Sequence, residues 1–87
     1  MIIEEEFGND YFGNLLIENY PNLEKIAVKK DSLQNLNSLK ICNNEKLKTI
    51  EIEDWSFSNV KNVIIESICL FAYLLFSNLP NLQSLHI

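Results

Sequence analysis

Few residues in this 87-residue chain are of a type that could do chemistry. Cys42 and Cys69 are the only cysteines, form no C-x-x-C pair and have no histidine beside them, so neither a disulfide scaffold nor a metal site is expected. Both sit among apolar neighbours, where a free thiol packs as a small hydrophobe. His86 is the single histidine, with no carboxylate or cysteine at ligand spacing. Ser56 and Ser58 have no nearby base to activate them. Gly8 and Gly13 lack the Gly-Lys-Ser/Thr continuation of a phosphate loop. Glu4, Glu5, Glu6 and Asp10 crowd the N-terminus and solvate it. No acid–base pair or nucleophile assembles from these residues, so neither catalysis nor a cofactor is expected.

Composition narrows the partners. The net charge is −5, and no basic stripe exists to meet phosphates or an anionic membrane surface, so no nucleic-acid partner is expected. The longest apolar run, Ile68–Phe76, is nine residues, against about twenty for a spanning helix, and no membrane insertion is expected. The first residues contain no basic n-region and apolar h-region, and the cysteine usage fits a cytoplasmic setting.

The elements that must position any surface residue come from a repeat. An apolar residue, two others, an apolar residue, one other and a third apolar residue recur as Phe12-Leu15-Ile17, Leu23-Ile26-Val28, Leu36-Leu39-Ile41 and Leu47-Ile50-Ile52, and again as Val60-Val63-Ile65, Phe71-Leu74-Phe76 and Leu82-Leu85-Ile87. The starting positions step by 11, 13, 11, 13, 11 and 11. Two steps together make a period of about 24 residues, within the range of repeat proteins. With 47% apolar residues, filling all of these positions by chance has a probability on the order of 10⁻⁷. The end of each unit alternates apolar, variable, apolar, the period of a strand with one buried face. Such short strands bury that face only by stacking on the next coil. The expected fold is a β-rich solenoid of about 24 residues per coil, with two short extended segments in each. In the 13-residue steps, Leu33 and Phe57 should point inward, while Asn35 and Asn59 serve the turn.

Leu36-x-x-Leu39-x-Ile41-x-x-Asn44 resembles the leucine-rich-repeat pattern LxxLxLxxN. Leu47–Glu66 is similar to the divergent BspA-like leucine-rich repeats of bacteria and protists, in which an extended segment leads into an aromatic Ser/Ala-Phe turn. Tyr20–Val28 and Leu79–Ile87 have the same look, and the resemblance covers roughly residues 11–87. It implies a repeat solenoid whose outward strand residues contact a protein partner. From those positions, Lys40, Glu51, Asn62, Ile64, Tyr73 and His86 are the candidate contacts. A structural spacer without a binding role is the alternative expectation.

Two places strain the pattern. The final 11-residue step breaks the alternation, which reads either as an irregular last coil or as an insertion over residues 67–77 forming a short buried helix. Residues 1–10 are expected to be an acidic N-terminal segment or partial cap, with the solenoid over 11–87. Its last strand has no cap, so the chain reads as truncated, or as stacking on further repeats or another copy through its C-terminal edge.

Overall fold

The apolar–variable–apolar triplets become strands that alternate between two faces of a flattened coil. The structure, a computed structural model, describes residues 1–66, 73–76 and 79–87, and only the backbone of Tyr73 and Phe76. Among the described residues the strands are β1 (Ile2–Ile3), β2 (Gly13–Glu18), β3 (Lys25–Val28), β4 (Leu36–Cys42), β5 (Thr49–Ile52), β6 (Asn62–Glu66), β7 (Tyr73–Phe76) and β8 (Ser84–His86). Odd strands form one sheet in the order β1-β3-β5-β7, and even strands a second in the order β2-β4-β6-β8. Every pairing is parallel, as it must be when each strand stacks on its equivalent one coil earlier. The chain is a parallel β-solenoid.

Register repeats the arithmetic of the sequence. Lys25 pairs with Thr49 and Thr49 with Tyr73; Lys40 pairs with Leu16 on one side and Ile64 on the other, each partner one full period away. Between the sheets lie Ile26, Val28, Ile50 and Ile52 from one side and Leu39, Ile41, Val63 and Ile65 from the other, all buried. Leu33, Leu36, Leu47, Phe57 and Val60 close the corners of this core.

Of the two alternatives for residues 67–77, an irregular last coil or a short helix, the helix is corrected where the structure describes it. Residues 73–76 are strand β7, in register with β5; residues 67–72 and 77 lie outside the described residues. The last coil is irregular in length instead. Asn62 pairs with Ser84 and Ile64 with His86, a sequence separation of 22 where the earlier coils have 24. The corner before β8 is therefore two residues shorter than its predecessors, and this is why the final step is 11.

The first coil is irregular too. At the register shift between Gly13 and Asn14, Gly13 faces Leu36 and Asn14 faces Ser38, so β4 carries an extra residue, Asn37, opposite β2. Gly13 takes the place opposite Leu36, and Phe12, expected inside, is 73% exposed. Residues 1–10 carry β1, which pairs with β3, and then the first corner. There the Asn9 carboxamide accepts from Gln34 N and donates to Asp31 O.

Three stacked corners share one backbone device. Glu6 and Gly8, Asp31 and Leu33, and Trp55 and Phe57 all have positive φ, between 49° and 72°. The left-handed turn lets Leu33 N donate to Phe7 O and Phe57 N to Ser32 O, which ties each corner to the one before it. At Gly8 the turn also requires a missing side chain, because a Cβ would lie 2.6 Å from Leu33 Cδ2. Ser32 and Ser56, fully buried below these turns, both donate to Lys29 O. On the outside, Asn59 Nδ2 donates to Asn35 Oδ1 at 3.0 Å and Asn81 Nδ2 to Asn59 Oδ1 at 3.2 Å, an amide ladder along the stack.

The opposite corners are held by Asn44, whose buried carboxamide donates to Ile17 O at 2.9 Å and accepts from Tyr20 N at 3.0 Å. Asn19 and Asn43, at the exits of β2 and β4, take the left-handed conformation that asparagine tolerates. Among the described residues, no buried polar side-chain atom lacks a partner.

Candidate functional site

The outer face of the second sheet gathers four of the six nominated residues. Lys40, Asn62, Ile64 and His86 stand on β4, β6, β6 and β8, whereas Glu51 on β5 and Tyr73 on β7 belong to the first sheet. Parallel register lays the outward residues of the second sheet in three rows, neighbours along a row being about 4.8 Å apart.

One row is polar: Asn14, Ser38, Asn62 and Ser84. Ser38 Oγ donates to Asn14 Oδ1 and Ser84 Oγ to Asn62 Oδ1, each at 2.6 Å. The middle row is Leu16, Lys40, Ile64 and His86. Leu16 is half exposed and Ile64 partly so, with the exposed Lys40 between them. Between these two rows runs a shallow groove, and the edges of Leu15 and Leu39 form part of its lining. The third row is Glu18, Cys42 and Glu66. His86 Nε2 lies 3.3 Å from Glu66 Oε1.

The two sheets differ in how their charges are placed. On the first, Lys25 meets Glu51 at 3.4 Å and Ala27 is buried, and just past the strand ends Lys29 meets Glu53 at 3.6 Å. These exposed pairs add little stability, but they leave the face electrically closed. On the second, among the described residues, Lys40 has no carboxylate at ion-pair distance. The net negative charge lies elsewhere. The corners over residues 4–10, 29–35 and 53–59 hold seven carboxylates and two lysines, and the remainder of the chain holds five of each. The face around Lys40 thus belongs to a charge-balanced part of the molecule.

Cys42 sits in the third row yet is only 6% exposed. Its thiol donates to Glu18 Oε2 at 3.4 Å. Burial first, then the hydrogen bond to Glu18 and the charge of that carboxylate, push the thiol pKa up. A raised pKa keeps the folded thiol neutral where the unfolded one ionises. Its contribution to stability is therefore complete below the unfolded thiol's pKa and is lost as pH rises through the folded value. Native Cys42 should be alkylated by iodoacetamide far more slowly than in the unfolded chain at mildly alkaline pH, and Glu18→Gln should speed the native reaction. Peptide mapping at Cys42 reads both rates; equal native and unfolded rates would contradict the buried neutral thiol. Cys69 lies outside the described residues.

Among the described residues, further hollows lie at the Pro21 and Lys46 corner and between Phe12 and the amide ladder residues Asn35, Asn59 and Asn81. The exposed Phe12 is hidden from sequence reasoning because it occupies a repeat position. The glycine that follows it, with φ 145°, is the one signal that the strand is interrupted there. Leu16, Asn14 and Ser38 are legible as outward positions, and the structure joins them to the same face as Lys40. Compared with family models, curated proteins and solved structures, the chain finds no match.

Proposed function

We propose that this chain is a non-catalytic, leucine-rich-repeat-like binding module that takes a protein partner across the outer face of β2-β4-β6-β8. The observation that carries the reading is the middle row of that face. It sets Lys40, without an ion-pair partner among the described residues, between the exposed Leu16 and the partly exposed Ile64 and beside a polar row. Apolar anchor and polar rim together suit a protein surface. The leucine-rich-repeat assignment draws its support from Leu36-x-x-Leu39-x-Ile41-x-x-Asn44, in which the leucines and isoleucine are buried and Asn44 bridges to the preceding coil. The BspA-like resemblance rests on the Trp55-Ser56-Phe57 turn, with its buried serine and phenylalanine.

The test compares the two faces. A photo-crosslinking residue at Leu16 should give a discrete heterologous adduct in the native cell extract, and one at Thr49 on the first sheet should not. With the partner so identified, Lys40→Glu should weaken its binding by about tenfold, equivalent to about 1.4 kcal/mol. The exposed position of Lys40 means that the thermal midpoint should not move. Adducts from Thr49 alone, or binding indifferent to Lys40→Glu, would transfer the function to another surface.

A further inference from the structure

We infer that the hollow beside Phe12 is a carbohydrate-binding site, which takes a neutral oligosaccharide along the amide ladder. Phe12 shares this hollow with Asn35, Asn59 and Lys61, residues one and two coils further along. Its ring therefore lies against the side of the stack and not across an end. The two amides that matter most, Asn35 and Asn59, belong to inner coils and have a ladder neighbour on either side.

Each of these amides is only half used. A carboxamide has two N–H donors and two acceptor lone pairs. Asn35 donates one N–H to Asn9 O at 2.6 Å and accepts one from Asn59 Nδ2 at 3.0 Å. Asn59 accepts in turn from Asn81 Nδ2 at 3.2 Å. One donor and one acceptor remain on each, side by side in the amide plane. Adjacent hydroxyls of a pyranose match that pair: one accepts from the N–H while its neighbour donates to the oxygen. The stack repeats the pair about every 4.8 Å, which suits a short chain of sugars better than a single one.

Phe12 supplies the other half of sugar recognition. It is 73% exposed because Gly13 takes the place opposite Leu36. An aromatic face carries partial negative charge, and the polarised C–H bonds on the flat side of a pyranose carry the opposite sign. Stacking there also removes apolar surface from water. Lys61 is exposed and, among the described residues, meets no carboxylate at ion-pair distance, so it adds a third donor at the hollow. The neighbouring corners set the ligand's charge. Residues 4–10, 29–35 and 53–59 hold seven carboxylates and two lysines, a field that repels polyanionic glycans.

Titration of the isotope-labelled chain with cellotetraose, chitotetraose and mannotetraose at millimolar concentration, followed by NMR, tests the inference. The side-chain amide signals of Asn35 and Asn59 report directly on the ladder. At least one of these glycans should shift both signals. Those of Asn14 and Asn62, on the outer face of the second sheet, should stay still. Phe12→Ala should weaken the binding by about tenfold, and Phe12→Trp should preserve it. The ring stands outside the core, so both variants should fold. Added salt should leave the affinity unchanged. No shift with any of the three glycans overturns the inference. Binding of tetragalacturonate alone, binding indifferent to Phe12→Ala, or shifts confined to Asn14 and Asn62 overturn it equally.

Discussion

Phe57→Ala should cost about 3–5 kcal/mol of folding stability, the range for emptying a buried aromatic site. The side chain is 1% exposed and is the largest fully buried one among the described residues. It sits at the corner between β5 and β6, beside the serine pair Ser32 and Ser56, and its N–H reaches back to Ser32 O. A chain of this size has on the order of 5–10 kcal/mol in total, so urea denaturation followed by circular dichroism should find the variant's midpoint moved to a much lower urea concentration, with the slope unchanged. The φ of +53° gives the test a second arm. Alanine keeps the left-handed strain, whereas Phe57→Gly relieves about 1–2 kcal/mol of it while emptying the same site. Glycine less destabilising than alanine would identify backbone strain at this turn as something the buried ring offsets. A loss below about 1 kcal/mol for alanine would mean that the core closes without the ring.

Asn44→Ala should be nearly as damaging, for a different reason. The carboxamide lies wholly buried and satisfies two backbone groups of the preceding coil, Ile17 O and Tyr20 N. Removing it leaves both without a partner, at about 1–3 kcal/mol each. The sum is about 2–6 kcal/mol, reduced wherever water enters the vacated space. Hydrogen exchange at the Tyr20 amide is the local readout. It should accelerate by a larger factor than the amides of Ile50 or Ile52, which lie further along the stack. Uniform acceleration across the core would show instead that the coils come apart only as a whole.

The two residues differ in how visible their roles are in the sequence. Asn44 stands three positions after the last apolar residue of its repeat unit, Ile41, and a polar side chain buried at the corner that follows must find backbone partners. The strands are legible for a similar reason: alternation at a constant step is a direct consequence of one buried face and parallel stacking. The corner containing Phe57 is only half legible. Its inward side chain follows from spacing, but left-handed backbone at Leu33, Trp55 and Phe57 does not, since bulky residues seldom adopt it. Tertiary hydrogen bonds and burial hold them there, and neither is local in sequence. Phe12 and the last coil show the same limit. A register shift of one residue between β2 and β4 and two fewer residues in the last corner change where side chains point, yet both coils still satisfy the apolar template. At the candidate site, the outward positions can be read from the period, but their division between two faces requires knowing that alternate segments enter different sheets. That separation puts Lys40, Asn62, Ile64 and His86 together and sets Glu51 and Tyr73 apart.

The near-constant register has a kinetic consequence. Among the described residues, every strand pairing joins positions about one coil apart along the chain. No pairing is local enough to form early, and none demands a much longer closure than the others. The first two coils to meet bear the full entropy of closing such a loop with no template to build on. Each later coil closes a loop of nearly the same size against strands already in place. Folding should therefore show a slow initiation followed by faster accretion. The coil in which it starts is set by local corner strength, with the hydrogen-bonded turns around Ser32 and Ser56 the best-tied pair.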